Sequence, residues 1–174
     1  MLKKLFILPA LLVAAFMTTT ITSCSDNCKD VDCGNGTCLD GTCECGDGYE
    51  GTNCETEWAT KFLGSYLGND VVTASTAGTA LGTYNLGSPA VVTRKSESVI
   101  SIANFGGFDS VCEATIDRPS TTTASATDLS INYVDPTGRK FVGTASISGN
   151  TLSGSYVVTF SDNTTDTATF TYTK

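Results

Sequence analysis

The sequence predicts a mainly β protein in two unequal parts, a small disulfide-rich module followed by an antiparallel meander of eight strands. Three observations carry that expectation. Six cysteines fall between residues 28 and 54; threonine, serine, valine and aromatic residues alternate with period two from Gly64 onward; and short polar or glycine-containing turns separate the alternating runs. Eight short strands joined by hairpins close into an up-and-down β-barrel, which removes exposed edges and buries one face, with a two-sheet sandwich as the alternative.

The N-terminal residues read as an address. Lys3 and Lys4 precede an apolar run from Leu5 to Met17 that carries Pro9 and stops at Thr18-Thr19-Thr20. A spanning helix needs about 20 apolar residues, so residues 1–23 are expected to be a signal peptide. The run ends in Ile21-Thr22-Ser23-Cys24, which resembles the bacterial lipobox. That resemblance implies that Cys24 is lipidated, with acyl chains such as palmitate, and becomes the new N-terminus of a tether over residues 24–27. Each buried CH2 of an acyl chain contributes about 0.8 kcal/mol, so several chains anchor a protein to the membrane without a transmembrane segment. An ordinary signal-peptidase cut, with Cys24 in a disulfide, is the alternative. Ser25-Asp26-Asn27 and Lys29-Asp30-Val31-Asp32 resemble the acidic tract that sends lipoproteins outward in some Gram-negative bacteria. The implied location is the cell surface, lipid-anchored in the outer membrane, with its periplasmic face as the alternative.

The cysteines follow the pattern Cys28-x4-Cys33-x4-Cys38-x4-Cys43-x-Cys45-x8-Cys54, with Gly48-Tyr49-x-Gly51 in the last interval. This resembles an epidermal-growth-factor-like (EGF-like) module over residues 28–54. So short a segment cannot bury enough apolar surface to fold unaided, and disulfides in an oxidising compartment supply what the core lacks. Leu39-Asp40-Gly41-Thr42 is a hairpin signal, since both central residues of a type I′ turn need positive φ. Spacing alone leaves the connectivity of six cysteines open. The family resemblance implies Cys28 to Cys38, Cys33 to Cys43 and Cys45 to Cys54. A zinc site has suitable ligands in the wrong compartment and gives no reason for the Gly-Tyr-x-Gly spacing. No cofactor is expected, and calcium is the one candidate. Some EGF-like modules bind it just before the first cysteine, where Asp26 and Asn27 stand, but Cys24 occupies the position where a further acid is needed, and a solvated acidic face is the simpler reading.

Charge separates the two parts. Residues 24–57 hold nine acids against Lys29, whereas residues 58–174 hold nine acids and seven bases. Net negative charge with no basic patch argues against nucleic acid, whose phosphates would be repelled.

Residues 55–63 are expected to be a linker in which Glu57 to Phe62 makes one helical turn, with Trp58 and Phe62 on one side and few contacts crossing residue 57. The barrel domain then covers residues 64–174, with strands near 65–74, 83–94, 98–105, 110–117, 127–134, 140–148, 151–161 and 166–173. Leu152, Tyr156, Val158 and Phe160 share one phase, as do Ala168, Phe170 and Tyr172; Leu129, Ile131 and Tyr133, then Phe141, Ala145 and Ile147, take odd positions. Asp135-Pro136-Thr137-Gly138 and Gly149-Asn150 are hairpin turns. Lys61 to Tyr66, Asn104 to Gly107 and Ile147 to Leu152 resemble phrases of the β-rich, lipocalin-like C-terminal region of small surface lipoproteins with one EGF-like repeat.

Catalysis finds little support, and no catalytic residue is assigned. The chain has no histidine, the commonest general base. Asp109, Glu113 and Asp117 read as a solvent face of one strand, Asp162 and Asp166 as brackets of a turn, and Arg139-Lys140 as a solvated strand start. Cys112 shares the phase of Ala114 and Ile116 and is expected to be a buried, small apolar residue.

Two functions follow. In one, the EGF-like stalk displays a β-domain that binds an unknown protein or glycan partner. In the other, the barrel carries a small hydrophobic ligand. Display is preferred because Tyr133, Phe141, Tyr156, Phe160, Phe170 and Tyr172 can fill a narrow barrel, although Gly143, Ala145 and Gly154 leave room. A cavity of at least about 300 Å3 would favour the carrier. The lipidation reading predicts that Cys24→Ser abolishes fatty-acid labelling, and labelling retained at the wild-type level would refute it.

Overall fold

The computed structural model describes residues 27–121 and 124–174. The signal segment, Cys24 and Asp26 lie outside the described residues. The module is held by Cys28–Cys38, Cys33–Cys43 and Cys45–Cys54, an arrangement compatible with an EGF-like module. Strands β1 (Gly36–Leu39) and β2 (Thr42–Cys45) form its hairpin, and Asp40 and Gly41 both take the positive φ that the tight turn requires. Short strands β3 (Tyr49–Glu50) and β4 (Thr56–Glu57) form a second ladder.

Thr56–Glu57 thus belongs to a strand, and a 3-10 helix follows over Trp58–Phe62. Trp58, Ala59 and Phe62 are buried in the barrel core. The expected paucity of contacts across residue 57 is not what is found. Trp58 Nε1 donates to Tyr49 O at 2.8 Å, and Trp58 N–H donates to Gly48 O at 2.8 Å. Glu50 pairs with Lys61 at 2.6 Å and accepts the Ala126 N–H at 2.9 Å; Arg94 grips Glu57 at 2.6 Å, and Arg118 meets Asp47 at 3.1 Å. The amine of Lys174 caps the 3-10 helix by donating to Lys61 O and Leu63 O.

The remaining strands form a closed eight-stranded antiparallel barrel rather than a sandwich. Nine strands fill its eight positions, β6 and β7 sharing one beside β5: β5 (Gly64–Ser75), β6 (Gly82–Asn85), β7 (Ala90–Arg94), β8 (Val99–Ala103), β9 (Val111–Ile116), β10 (Asp128–Val134), β11 (Lys140–Ser148), β12 (Thr151–Thr159) and β13 (Thr165–Thr173). From β7 to β13 each strand pairs with the next in sequence, β5 pairs with both β6 and β7, and β13 closes the cylinder on β5, from Asp166 opposite Ser75 to Thr173 opposite Leu67. The expected strand over 83–94 is broken in two. β6 pairs with the far half of β5 and β7 with its near half, across Leu86-Gly87-Ser88-Pro89, where proline cannot donate to a ladder.

Inward positions follow the expected phases, with Leu152, Tyr156 and Val158 buried on β12 and Ala168, Phe170 and Tyr172 on β13. Tyr133 and Phe160 are half-buried, because both stand at one rim. Gly143 and Gly154 mark close approach instead of empty space, since a Cβ at Gly143 would meet Ser155 O at 2.2 Å and one at Gly154 would meet Thr144 O at 2.2 Å. Strand β8 ends at Ala103, short of the expected residue 105. Asn104 turns left-handed (φ 59°), and a 3-10 turn over Phe105–Gly107 folds into the barrel. There Phe105 packs with its ring centroid 4.8 Å from Tyr156 and 5.2 Å from Phe170.

The two barrel ends therefore differ. The module and the 3-10 helix close one, whereas the loops 76–81, 104–110, 135–139 and 160–164 surround the other. Removing one bridge by Cys45→Ala with Cys54→Ala should destabilise the module by about 2–5 kcal/mol. Because Glu50, Tyr49 and Trp58 couple the two parts, the barrel's melting midpoint is expected to fall with it. A far-ultraviolet melting curve superimposable on wild type would show the parts to be uncoupled.

Candidate functional site at the open end of the barrel

Strand alternation places Tyr66, Asp70 and Val72 of β5 on the inner face, and likewise Asp166, Ala168 and Phe170 of β13. Two carboxylates consequently enter an apolar interior. Asp70 is 3% exposed and Asp166 6%. Asp70 is compensated by hydroxyls from the adjoining strand β13 and from β12 beside it. Tyr156 Oη donates to its Oδ1 at 3.0 Å, and Tyr172 Oη reaches Oδ1 at 3.0 Å and Oδ2 at 2.9 Å. Tyr172 Oη in turn accepts the Gly106 N–H at 3.1 Å, which ties the Phe105 turn to the network. Gly106 is held at φ 64°, and a Cβ there would meet Tyr156 Oη at 2.5 Å.

Burial raises the Asp70 carboxyl above its ordinary range, and the two tyrosine hydrogen bonds offset part of that rise. Burial, and next the Asp70 charge, push both Tyr156 and Tyr172 far upward, so their hydroxyls remain proton donors. Asp166 is compensated less completely. Its Oδ2 accepts the Thr79 hydroxyl at 2.6 Å, while no group among the described residues donates to the buried Oδ1.

These groups line a half-open cavity of about 380 Å3 at the open end. Its walls combine the two carboxylates and Thr79 with Tyr84, Phe108 and Phe160, and among the described residues no lysine or arginine lines it. Phe105 and its aromatic neighbours fill the barrel below, so the cavity is a cup and not a channel.

Other candidate residues fall elsewhere. Asn27 lies in an exposed turn beside Gly41. Glu113 pairs with Lys95 and Asp117 accepts from Ser130 at 3.0 Å on the outer face; Asp109 is exposed. Asp162 closes its own turn by accepting from Thr164 N–H and Oγ1, and these bonds lower its carboxyl. Cys112 is buried and, among the described residues, the one cysteine outside a disulfide; burial pushes its thiol up to about 12. Among the described residues, no three histidine, cysteine, aspartate or glutamate side chains gather to hold a metal ion.

Arg139 is neither a free cation nor merely solvated. Its guanidinium binds Asp135 Oδ2 at 2.7 Å and lies 4.8 Å over the Phe108 ring. Asp135 Oδ1 also accepts from Thr137 N–H, Thr137 Oγ1 and Arg139 N–H at 2.7–2.9 Å. The turn is thus built around a buried carboxylate, so Asp135 is a structural residue of the rim.

Asp70 and Asp166 were legible in principle, since each shares the inward phase of its apolar neighbours. Thr79 and Phe108 come from irregular loops, and periodicity gives no signal for them. Comparison with protein-family models finds no match, and comparison with curated proteins finds none either.

Burial pulls the Asp135 carboxyl upward, but the hydrogen bonds from Thr137 and Arg139 outweigh it and hold the group well below the ordinary carboxylate range. A depressed folded pKa contributes stability above the unfolded value, near 4, and loses it as pH falls through the folded one. Asp70, whose pKa is raised, works in the opposite sense, its contribution being lost as pH rises. The melting-temperature gap between wild type and Asp135→Asn is expected to hold from neutrality to about pH 4 and to close below it. Thermal scans showing a gap that widens in acid would contradict this account.

Proposed function

We propose that this protein is a non-enzymatic, ligand-binding barrel of lipocalin-like character, carried at the bacterial cell surface by a lipid on Cys24. The carrying observation is the cup at the open end. Its volume of about 380 Å3 falls within the range of small-molecule sites, about 300–1,000 Å3. Its aromatic walls and few convergent polar groups match the usual make-up of such sites. The packed aromatic layer beneath gives the cup a floor, so a ligand would sit at the mouth.

The two ends support a division of labour. The module occupies the end opposite the cup, and the proposed tether leads directly into Cys28. A lipid at Cys24 would accordingly leave the mouth facing away from the membrane. The absence of histidine and the pairing of Asp70 with two tyrosine hydroxyls support binding over catalysis. No cofactor is proposed, and the partner is a small molecule rather than nucleic acid.

Titrating the purified protein with N-phenylnaphthylamine, a neutral hydrophobic fluorophore, tests the reading. Saturable single-site fluorescence enhancement is expected, with a rise in melting temperature. Ligand at a hundredfold its Kd adds about 2.7 kcal/mol to stability. Phe160→Ala should weaken the probe and cost less than the about 3–5 kcal/mol typical of a fully buried aromatic, since Phe160 is half-buried. Absence of saturable binding to the wild-type protein would remove the ligand-binding reading.

A further inference from the structure

The two inward carboxylates of the cup are treated unequally. Asp70 receives hydroxyls on both oxygens, whereas Asp166, only 6% exposed, has no donor to Oδ1 among the described residues. A buried carboxylate oxygen without a hydrogen bond is costly, and native folds satisfy almost all such groups. Among the described residues no side chain serves the purpose. Thr79 already donates to Oδ2, and Arg139, stacked over Phe108 at the same rim, is committed to Asp135. Among the described residues, no lysine or arginine lines the cavity.

What the cup does offer is a setting that favours a cation. Two buried carboxylates lie on walls that also carry the rings of Tyr84, Phe108 and Phe160. Aromatic faces attract ammonium groups electrostatically, and the attraction grows as the site is desolvated. An anion would meet two carboxylates with no base to offset them, and a neutral alcohol could complete one hydrogen bond without balancing charge. A protonated amine on an aryl or alkyl body satisfies the orphaned oxygen, the charge and the apolar walls together.

We infer that the cup recognises small organic amines, with Asp166 Oδ1 accepting a hydrogen bond from the ligand ammonium and the aromatic walls holding its apolar body. This inference rests on the ligand-binding reading of the cavity and adds the ligand's chemical class.

Calorimetric titration of the full-length protein with phenethylamine, phenethyl alcohol and phenylacetate, matched in size and differing in charge, separates the two. The amine is expected to bind about tenfold or more tightly than the alcohol, as one charge-assisted hydrogen bond allows, and phenylacetate more weakly than either. In Asp166→Asn the amine-to-alcohol ratio should fall to near one while a cooperative melting transition is kept. Equal binding of amine and alcohol to wild type would overturn the amine inference and leave the ligand-binding reading standing. Binding of none of the three, together with no saturable N-phenylnaphthylamine signal, would remove both. A ratio unchanged in folded Asp166→Asn would overturn the role of Asp166. If that variant does not fold, Thr79→Val decides, because freeing Oδ2 should preserve or raise the amine preference, and its loss would overturn the inference.

Discussion

The ladder between β5 and β13 is the constraint on which the rest of the structure depends. It joins residues about a hundred positions apart and turns a meander with two free edges into a cylinder with an interior. Only a closed cylinder can put Asp70 of the first barrel strand within reach of Tyr156 and Tyr172 near the end of the chain. The same closure makes the aromatic layer continuous, so that Phe105, entering from a loop, meets rings from β11, β12 and β13 at once.

A cylinder has two ends, and the chain solves them with different physics. At the module end the closure is part apolar and part ionic. Trp58 and Phe62 fill the opening, while Glu50 bridges Lys61 and the backbone at Ala126. At the other end no comparable plug is present among the described residues, and the rim is stiffened from within its own loops. The Asp135 turn and the Asp162 turn each wrap a carboxylate in local donors. That contrast leaves the second end open, its walls holding their shape without being covered.

Much of this architecture was legible because it is periodic or stoichiometric. Alternation at Leu152, Tyr156 and Val158 follows from half-burial of a strand, and six cysteines in a short span imply bridges for want of a core. The features that resisted reading arise where a tertiary contact overrides a local pattern. Phe105 continues the strand by composition, yet Asn104 turns left-handed and sends the ring inward. Residues 83–94 read as one strand until Pro89 is seen to remove a donor. Asp70 and Asp166 were in phase with buried neighbours, but a charged residue is ordinarily assigned to solvent, and what makes its burial tolerable is a hydroxyl on a distant strand or loop.

The seclusion of Cys112 has a bearing on the three bridges of the module. Disulfides reshuffle when a thiolate attacks a neighbouring sulfur, so a thiol that neither ionises readily nor reaches solvent cannot take part. With its pKa pushed up to about 12 inside the barrel, Cys112 is withdrawn from that chemistry once the strands close around it. The interval of danger is the unfolded chain, where the same thiol competes with the six paired cysteines. Rapid burial of β9 by its neighbours β8 and β10 would thus guard the covalent fidelity of a module to which Cys112 contributes no bond.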